Sequence, residues 1–114
     1  GTITSYFGPR WGSIHTAIDI AAPTGTPILA ADSGMVVYRG YNGNYGYMLK
    51  IDHGGGRTVT WYAHLSAYNV NLGDTVNKGD VIGYVGNTGF STGPHLHYEV
   101  HVDGEPVDPL NFYQ

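Results

Sequence analysis

Turn-forming residues recur so often along this chain that mainly short, extended runs fit between them. Glycine occupies 18 of 114 positions and proline six. The glycines follow no collagen-like period. β-Branched and aromatic residues fill the runs between turns, the pattern of an all-β domain of short strands. Turn chemistry falls at 21–27, at Asp32-Ser33-Gly34, at 41–46, at His53-Gly54-Gly55-Gly56 and at Asn77-Lys78-Gly79. In the 41–46 turn, Asn42-Gly43 tolerates positive φ. Strands are predicted over 28–31, 35–40, 46–52, 57–63 and 95–102, with two short ones inside 70–86. Residues 87–94 read as a loop, and 107–114 as a tail with room for one helical turn. No helix of ten residues is predicted. The length suits one domain over 1–114.

Composition removes several function classes. Lys plus Arg is 5, Asp plus Glu is 9, and the net charge is −4. A nucleic-acid partner needs a basic face that this chain does not have. Docking on an anionic membrane or polymer by charge alone is excluded on the same ground. The chain has no run of 18 apolar residues, so no membrane insertion is expected. With no cysteine, disulfides and thiolate metal sites are ruled out. The chain starts at Gly1 with no secretion signal, and it is expected to be excised or processed from a longer one.

Six histidines stand against five Lys plus Arg. Two of them form His95-Leu96-His97 on the most regular strand, where i and i+2 point to one side about 6.5–7 Å apart. Leu96, Tyr98, Val100 and Val102 then fill the opposite face. His15 and Asp19 would lie about 13 Å apart on a straight extended chain, so both reach one ion only if the segment bends. His64 is placed at a strand end, sharing a face with Tyr62. Two imidazoles and one carboxylate suffice to hold zinc and leave a fourth position open, the catalytic arrangement. No His-Glu-x-x-His occurs, and Glu99 and Glu105 are the only glutamates, so histidine must supply the acid–base chemistry. Glu99 shares the face of His95 and His97 and is a candidate to orient a ligand. His101 reads as a strand-end surface residue, His53 as a solvated turn residue, and Arg10 as a partner in a structural salt bridge.

These segments together resemble the catalytic domains of the lysostaphin/LytM-type zinc endopeptidases, which cut peptide bonds in bacterial peptidoglycan. The resemblance runs nearly end to end. It includes Ser5-Tyr6-Phe7-Gly8-Pro9-Arg10, His15-x-x-x-Asp19 with Ala21-Ala22-Pro23, and Tyr62-Ala63-His64-Leu65-Ser66. It continues through Gly73-Asp74, Gly89-x-Ser91-Thr92-Gly93-Pro94-His95-Leu96-His97 and Val107-Asp108-Pro109. Ala17 stands where the family often has glycine.

The resemblance implies a compact antiparallel β-sandwich or barrel with a loop-walled groove. It implies one Zn2+ per domain, bound by His15, Asp19 and His97, with His64 and His95 catalytic. His95 is favoured as general base and His64 as the group that stabilises the oxyanion. Tyr62 is expected to line a substrate groove walled by residues 41–46, 67–71 and 87–94. The implied partner is a peptidoglycan peptide, the implied location the bacterial envelope or outside the cell, and the implied state a monomer. The alternative is a non-catalytic LytM-like domain that binds and activates a wall amidase. Such domains lose ligands or catalytic histidines, and all five positions are kept here. Residues 71–83 resemble the hammerhead strands of biotinyl and lipoyl carriers, but neither Lys50 nor Lys78 sits in a modifiable hairpin motif. A cupin would need a further ligand after the His-x-His, and only 17 residues follow His97.

Overall fold

The computed structural model describes residues 2–10 and 13–111. Its strands, in chain order, are β1 (Thr2–Ser5), β2 (Gly8–Arg10), β3 (Ser13–His15), β4 (Ile18–Ala21), β5 (Pro27–Leu29) and β6 (Gly34–Tyr41). They continue as β7 (Tyr47–Asp52), β8 (Thr58–Tyr68), β9 (Thr75–Val76), β10 (Val81–Val85), β11 (His95–Val102) and β12 (Glu105–Val107). Among the described residues the helical content is two 3-10 turns, Gly43–Tyr45 and Pro109–Asn111. All strand pairs are antiparallel. Ten strands form one sheet in the order β1-β4-β11-β8-β7-β6-β9, with β10 joined to β5 and β8, and β12 joined to β11. β2 and β3 make a separate hairpin. The all-β, antiparallel expectation holds.

β8 organises the sheet. Along one edge its first half pairs with β11, from Thr58↔Val102 to Ala63↔His97. Its second half pairs with β10, from Leu65↔Val85 to Tyr68↔Gly83. One long strand therefore carries both the site strand and the strand that closes the back of the core. The core lies on one face and includes Ile18, Leu49, Ile51, Tyr62, Leu65, Ile82, Tyr98 and Val100. On β11 the alternation is regular. Tyr98 and Val100 are buried in the core, with Leu96 and Val102 packed against it. His95, His97, Glu99 and His101 are left on the opposite face.

On β8 the alternation breaks at His64. Val59, Trp61 and Ala63 oppose His101, Glu99 and His97 on the histidine face, while Thr60 and Tyr62 turn into the core. His64 then has φ of +64°, in the left-handed region. The pairing with β7 shifts there: Leu49 faces Tyr62 and Tyr47 faces Leu65, so two steps on β7 match three on β8. This is a β-bulge, and its extra residue puts His64 on the face of Ala63 and returns Leu65 to the core.

Several sequence expectations are corrected as a result. Tyr62 does not line a groove with His64. It is 1% exposed, its ring packs 5.4 Å from that of Tyr98, and its hydroxyl accepts the Ala31 N–H at 3.1 Å. Strict period-two alternation put the two residues together, and the bulge separates them. Nor does β8 end at His64; it runs on to Tyr68. Residues 67–71 are tied to the sheet, with Asn69 donating from its backbone to the Ile82 carbonyl and from its side chain to the Val81 carbonyl. His53 is tied down, its Nδ1 2.8 Å from the Ser33 carbonyl and its Nε2 2.8 Å from the Thr60 hydroxyl. The side chain of Arg10 and the tail beyond Asn111 lie outside the described residues.

The loop at 87–94 is fastened to the turn at 43–46 by close backbone approach. Gly46 and Gly89 both have positive φ, +66° and +75°. A Cβ on either would collide with the backbone of the other segment. Phe90 N–H donates to the Asn44 carbonyl at 2.8 Å, and Tyr47 N–H to the Thr88 hydroxyl at 3.2 Å.

A non-glycine residue held at positive φ costs about 1–2 kcal/mol. Replacing His64 therefore gives different stabilities with two small residues. His64→Gly is expected to be more stable than His64→Ala by about 1 kcal/mol, since both lose the imidazole and only glycine relieves the backbone. Urea unfolding midpoints of the two purified variants check this. An alanine variant as stable as the glycine one would mean that the bulge is unstrained.

Candidate metal centre and flanking histidines

The bend required between His15 and Asp19 is present. β3 pairs with β2, whereas β4 pairs with β1 and β11, and the chain changes partners at Thr16 and the fully buried Ala17. The change brings His15 Nε2 to 3.5 Å from Asp19 Oδ2. The other ring nitrogen, Nδ1, is 3.0 Å from the Tyr6 carbonyl. A carbonyl can only accept, so the neutral ring keeps its proton on Nδ1 and aims the Nε2 lone pair at the carboxylate side.

β11 lies against β4 with His97 opposite Asp19. His97 Nδ1 is 3.0 Å from Asp19 Oδ1, and its Nε2 is 2.6 Å from Glu99 Oε2. Among the described residues, His15, Asp19 and His97 each offer one donor atom, all within 4.8 Å of one another. Two imidazoles and a carboxylate converging in this way suit zinc and leave a position open.

Charge in the cluster is strongly coupled. Burial works to raise the Asp19 pKa, but the hydrogen bond from His97 and the charges of His97, His95 and His15 hold it below the usual carboxylate range. Burial likewise opposes protonation of His97. The hydrogen bonds to Asp19 and Glu99 and the charges of both carboxylates outweigh it, pushing the imidazole up to about 9. Glu99 itself is 2% exposed. Burial would raise its pKa, and His97 and His101 together bring it below the ordinary value.

His64 and His95 flank this cluster with ring centroids 4.7 Å apart. His95 Nδ1 is 2.9 Å from the Gly93 carbonyl and 3.1 Å from the Ser91 hydroxyl, which itself donates to that carbonyl. Its Nε2 is 3.7 Å from Asp19 Oδ1. His64 Nδ1 is 2.6 Å from the Thr88 carbonyl. Burial, seconded by His95 and His97, holds the His64 pKa below the ordinary imidazole value despite the Thr88 bond. Both rings therefore anchor one nitrogen on the 87–94 loop and have Nε2 left for other work.

The structure brings His15, Asp19, His64, His95 and His97 together and leaves Tyr62 on the far side of the sheet. It adds residues that sequence reading passed over or left undecided. Glu99 contacts His97 directly. His101 Nε2 is 2.8 Å from Glu99 Oε1, and Tyr45, hydrogen-bonded to Glu99, sets its ring 5.6 Å from that of His97. Alternation along β11 already put Glu99 and His101 on this face. Thr88 and Tyr45 come from loops, and nothing in their spacing marks them.

The model of peptidase family M23 matches residues 13–109. The chain is 48% identical over 115 residues to the DD-carboxypeptidase/endopeptidase Mpg of Neisseria meningitidis, covering 96% of this chain and 26% of that protein. It is 44% identical over 99 residues to the peptidoglycan DD-endopeptidase ShyA of Vibrio cholerae, covering 84% of this chain and 22% of that one. The chain thus spans about a quarter of the length of these relatives. The fold superposes on the catalytic domain of the antimicrobial peptidase lysostaphin from Staphylococcus simulans with a TM-score of 0.92 and 35% identity, covering 98% of this chain and 91% of that one. By sequence over most of its length, and by fold, the chain belongs to peptidase family M23.

Proposed function

We propose that this chain is a single catalytic domain of a zinc-dependent endopeptidase that hydrolyses peptide bonds in bacterial peptidoglycan, in the cell envelope or outside the cell. The observation that carries the reading is the convergence of His15, Asp19 and His97 donor atoms beside two anchored imidazoles. The names of the similar proteins supply the substrate class.

His15 Nε2, an Asp19 oxygen and His97 Nδ1 would hold the ion. Zinc supplies a Lewis acid that polarises a scissile carbonyl and makes water more acidic. The chain's own residues handle the protons. His95, with Nδ1–H committed to the Gly93 carbonyl, takes the proton of the attacking water at Nε2 and returns it to the leaving amine. Burial keeps His64 neutral at rest, with Nδ1–H on the Thr88 carbonyl and an accepting Nε2. It stabilises an oxyanion only as the imidazolium, once Nε2 has taken the second proton of the attacking water, which it then gives up as the products leave. The 41–46 turn and the 87–94 loop wall the place where an extended peptide would lie.

Purified protein loaded with zinc and incubated with peptidoglycan is expected to release fragments with new amino and carboxyl ends, read by mass spectrometry. Full zinc occupancy with no fragment released would overturn the hydrolase reading in favour of the amidase-activating one. His15→Ala, Asp19→Ala and His97→Ala are expected to lose both zinc and turnover. His95→Ala and His64→Ala are expected to keep zinc and lose about 10²–10⁴-fold in rate.

Metal uptake should also release protons. His97 is pushed up to about 9 without metal, so near pH 7 its Nδ1 carries a proton that the ion must displace. Titration calorimetry in buffers of different ionisation enthalpy is expected to show about one proton released per zinc from this residue. Zinc affinity should therefore rise as pH rises towards 9. An affinity independent of pH over that interval would show that His97 does not ligate through Nδ1.

A further inference from the structure

We infer that His101, stacked on Trp61, is a positioning residue that holds the Glu99 carboxylate in place, and that Glu99 in turn fixes His97 with its Nδ1 lone pair towards the metal site. The inference rests on the reading of His97 as a zinc ligand.

The arrangement follows from strand geometry. His97, Glu99 and His101 stand at i, i+2 and i+4 on one face of β11. Both oxygens of Glu99 are occupied, Oε2 by His97 Nε2 at 2.6 Å and Oε1 by His101 Nε2 at 2.8 Å. A carboxylate cannot donate, so each imidazole must place a proton on the nitrogen that faces it. For a neutral His97 this leaves one tautomer, with the proton on Nε2 and the lone pair on Nδ1, 3.0 Å from Asp19. Besides His97, the carboxylate has Tyr45 as a partner. The imidazole of His101 on Oε1 adds a contact opposite His97 and so resists rotation about the Cγ–Cδ bond.

His101 is itself held. Trp61 lies opposite Glu99 on β8. Its ring stacks on His101 with centroids 3.9 Å apart and planes 13° from parallel. The other face of the indole takes the Lys50 ammonium, 3.9 Å from its centroid. Tyr45 closes the arrangement from the 43–45 turn, edge-on to both Trp61 and His97. The chain of contacts runs from Lys50 through Trp61, His101 and Glu99 to His97. Partners that orient a metal-ligating histidine typically account for 10–100-fold in metal affinity.

The test is chelator competition for zinc on purified protein, combined with NMR of the imidazole Nε2–H of His97 in the zinc-loaded state. His101→Ala is expected to weaken zinc binding 10–100-fold and to speed solvent exchange of the His97 Nε2–H. His101→Gln restores an N–H at the position of Nε2 and is expected to recover most of the affinity without recovering the ring stack. Thermal unfolding of the metal-free variants separates loss of fold from loss of positioning. His101→Ala that keeps wild-type zinc affinity and the same His97 exchange rate would overturn the inference, whatever its stability. So would a Gln variant no better than the Ala one. Wild-type protein that takes up no zinc would instead sink the hydrolase reading itself.

Discussion

The register between β4 and β11 is the constraint on which the site depends. Asp19 and His97 are 78 residues apart in sequence and directly opposite one another across two antiparallel strands. A slip of one residue would turn every side chain of one strand to the other face. The aspartate would then enter the core and Ile18 or Ile20 would face the imidazoles. The apolar set guards against this. Ile18 opposes Tyr98 and Ile20 opposes Leu96 on the core side of the same ladder. Burying those four is what prevents the slip, so the core residues of β4 and β11 specify the metal site as firmly as the ligands do.

The ladder supplies two of the three donors and one flanking imidazole. The rest come from departures from it. His15 arrives because the chain leaves the β2–β3 hairpin for the main sheet at Thr16–Ala17. His64 arrives because a residue is added to β8 at positive φ. Both departures cost regular pairing, and they occur beside the cluster. Strain of this kind persists only where the surroundings over-determine it. Around His64 they do: Leu65 is buried on one side, Ala63 is locked opposite His97, and the Thr88 carbonyl, fixed by the Gly46–Gly89 contact, holds the ring.

What could be read from the sequence divides along the same line. Where a strand is regular, alternation is enough: the His95–Val102 boundaries and the two faces of β11 were legible. The turn residues marked most strand ends. Alternation failed at the bulge, because one extra residue leaves no mark in composition, and a histidine, although more tolerant of positive φ than most residues, does not by itself announce one. Tyr62 was misplaced for that reason alone. The tether on His53 was hidden because its partners, Ser33 and Thr60, lie on other strands and turns. His101 was passed over because its face was known but its neighbour was not. The stacking on Trp61 depends on the β8–β11 register, which no single strand reveals.

The four imidazoles nearest the site, together with His97's carboxylate partner, share one device used in two strengths. His15, His64 and His95 each rest Nδ1 on a backbone carbonyl, from Tyr6, Thr88 and Gly93. His97 alone is reversed, with Nε2 on the carboxylate of Glu99 and Nδ1 inward. A carbonyl orients a ring without adding charge, at His15 in the metal cluster and at the two flanking imidazoles alike. A carboxylate makes the ring a stronger electron donor, which suits one that holds a cation. The same carboxylate also makes His97 more basic, so proton and metal compete most strongly at this ring. A chain with few charges to place has buried one of its two glutamates here. An unpaired buried carboxylate would be costly, and the second imidazole on its other oxygen is what makes the placement tolerable.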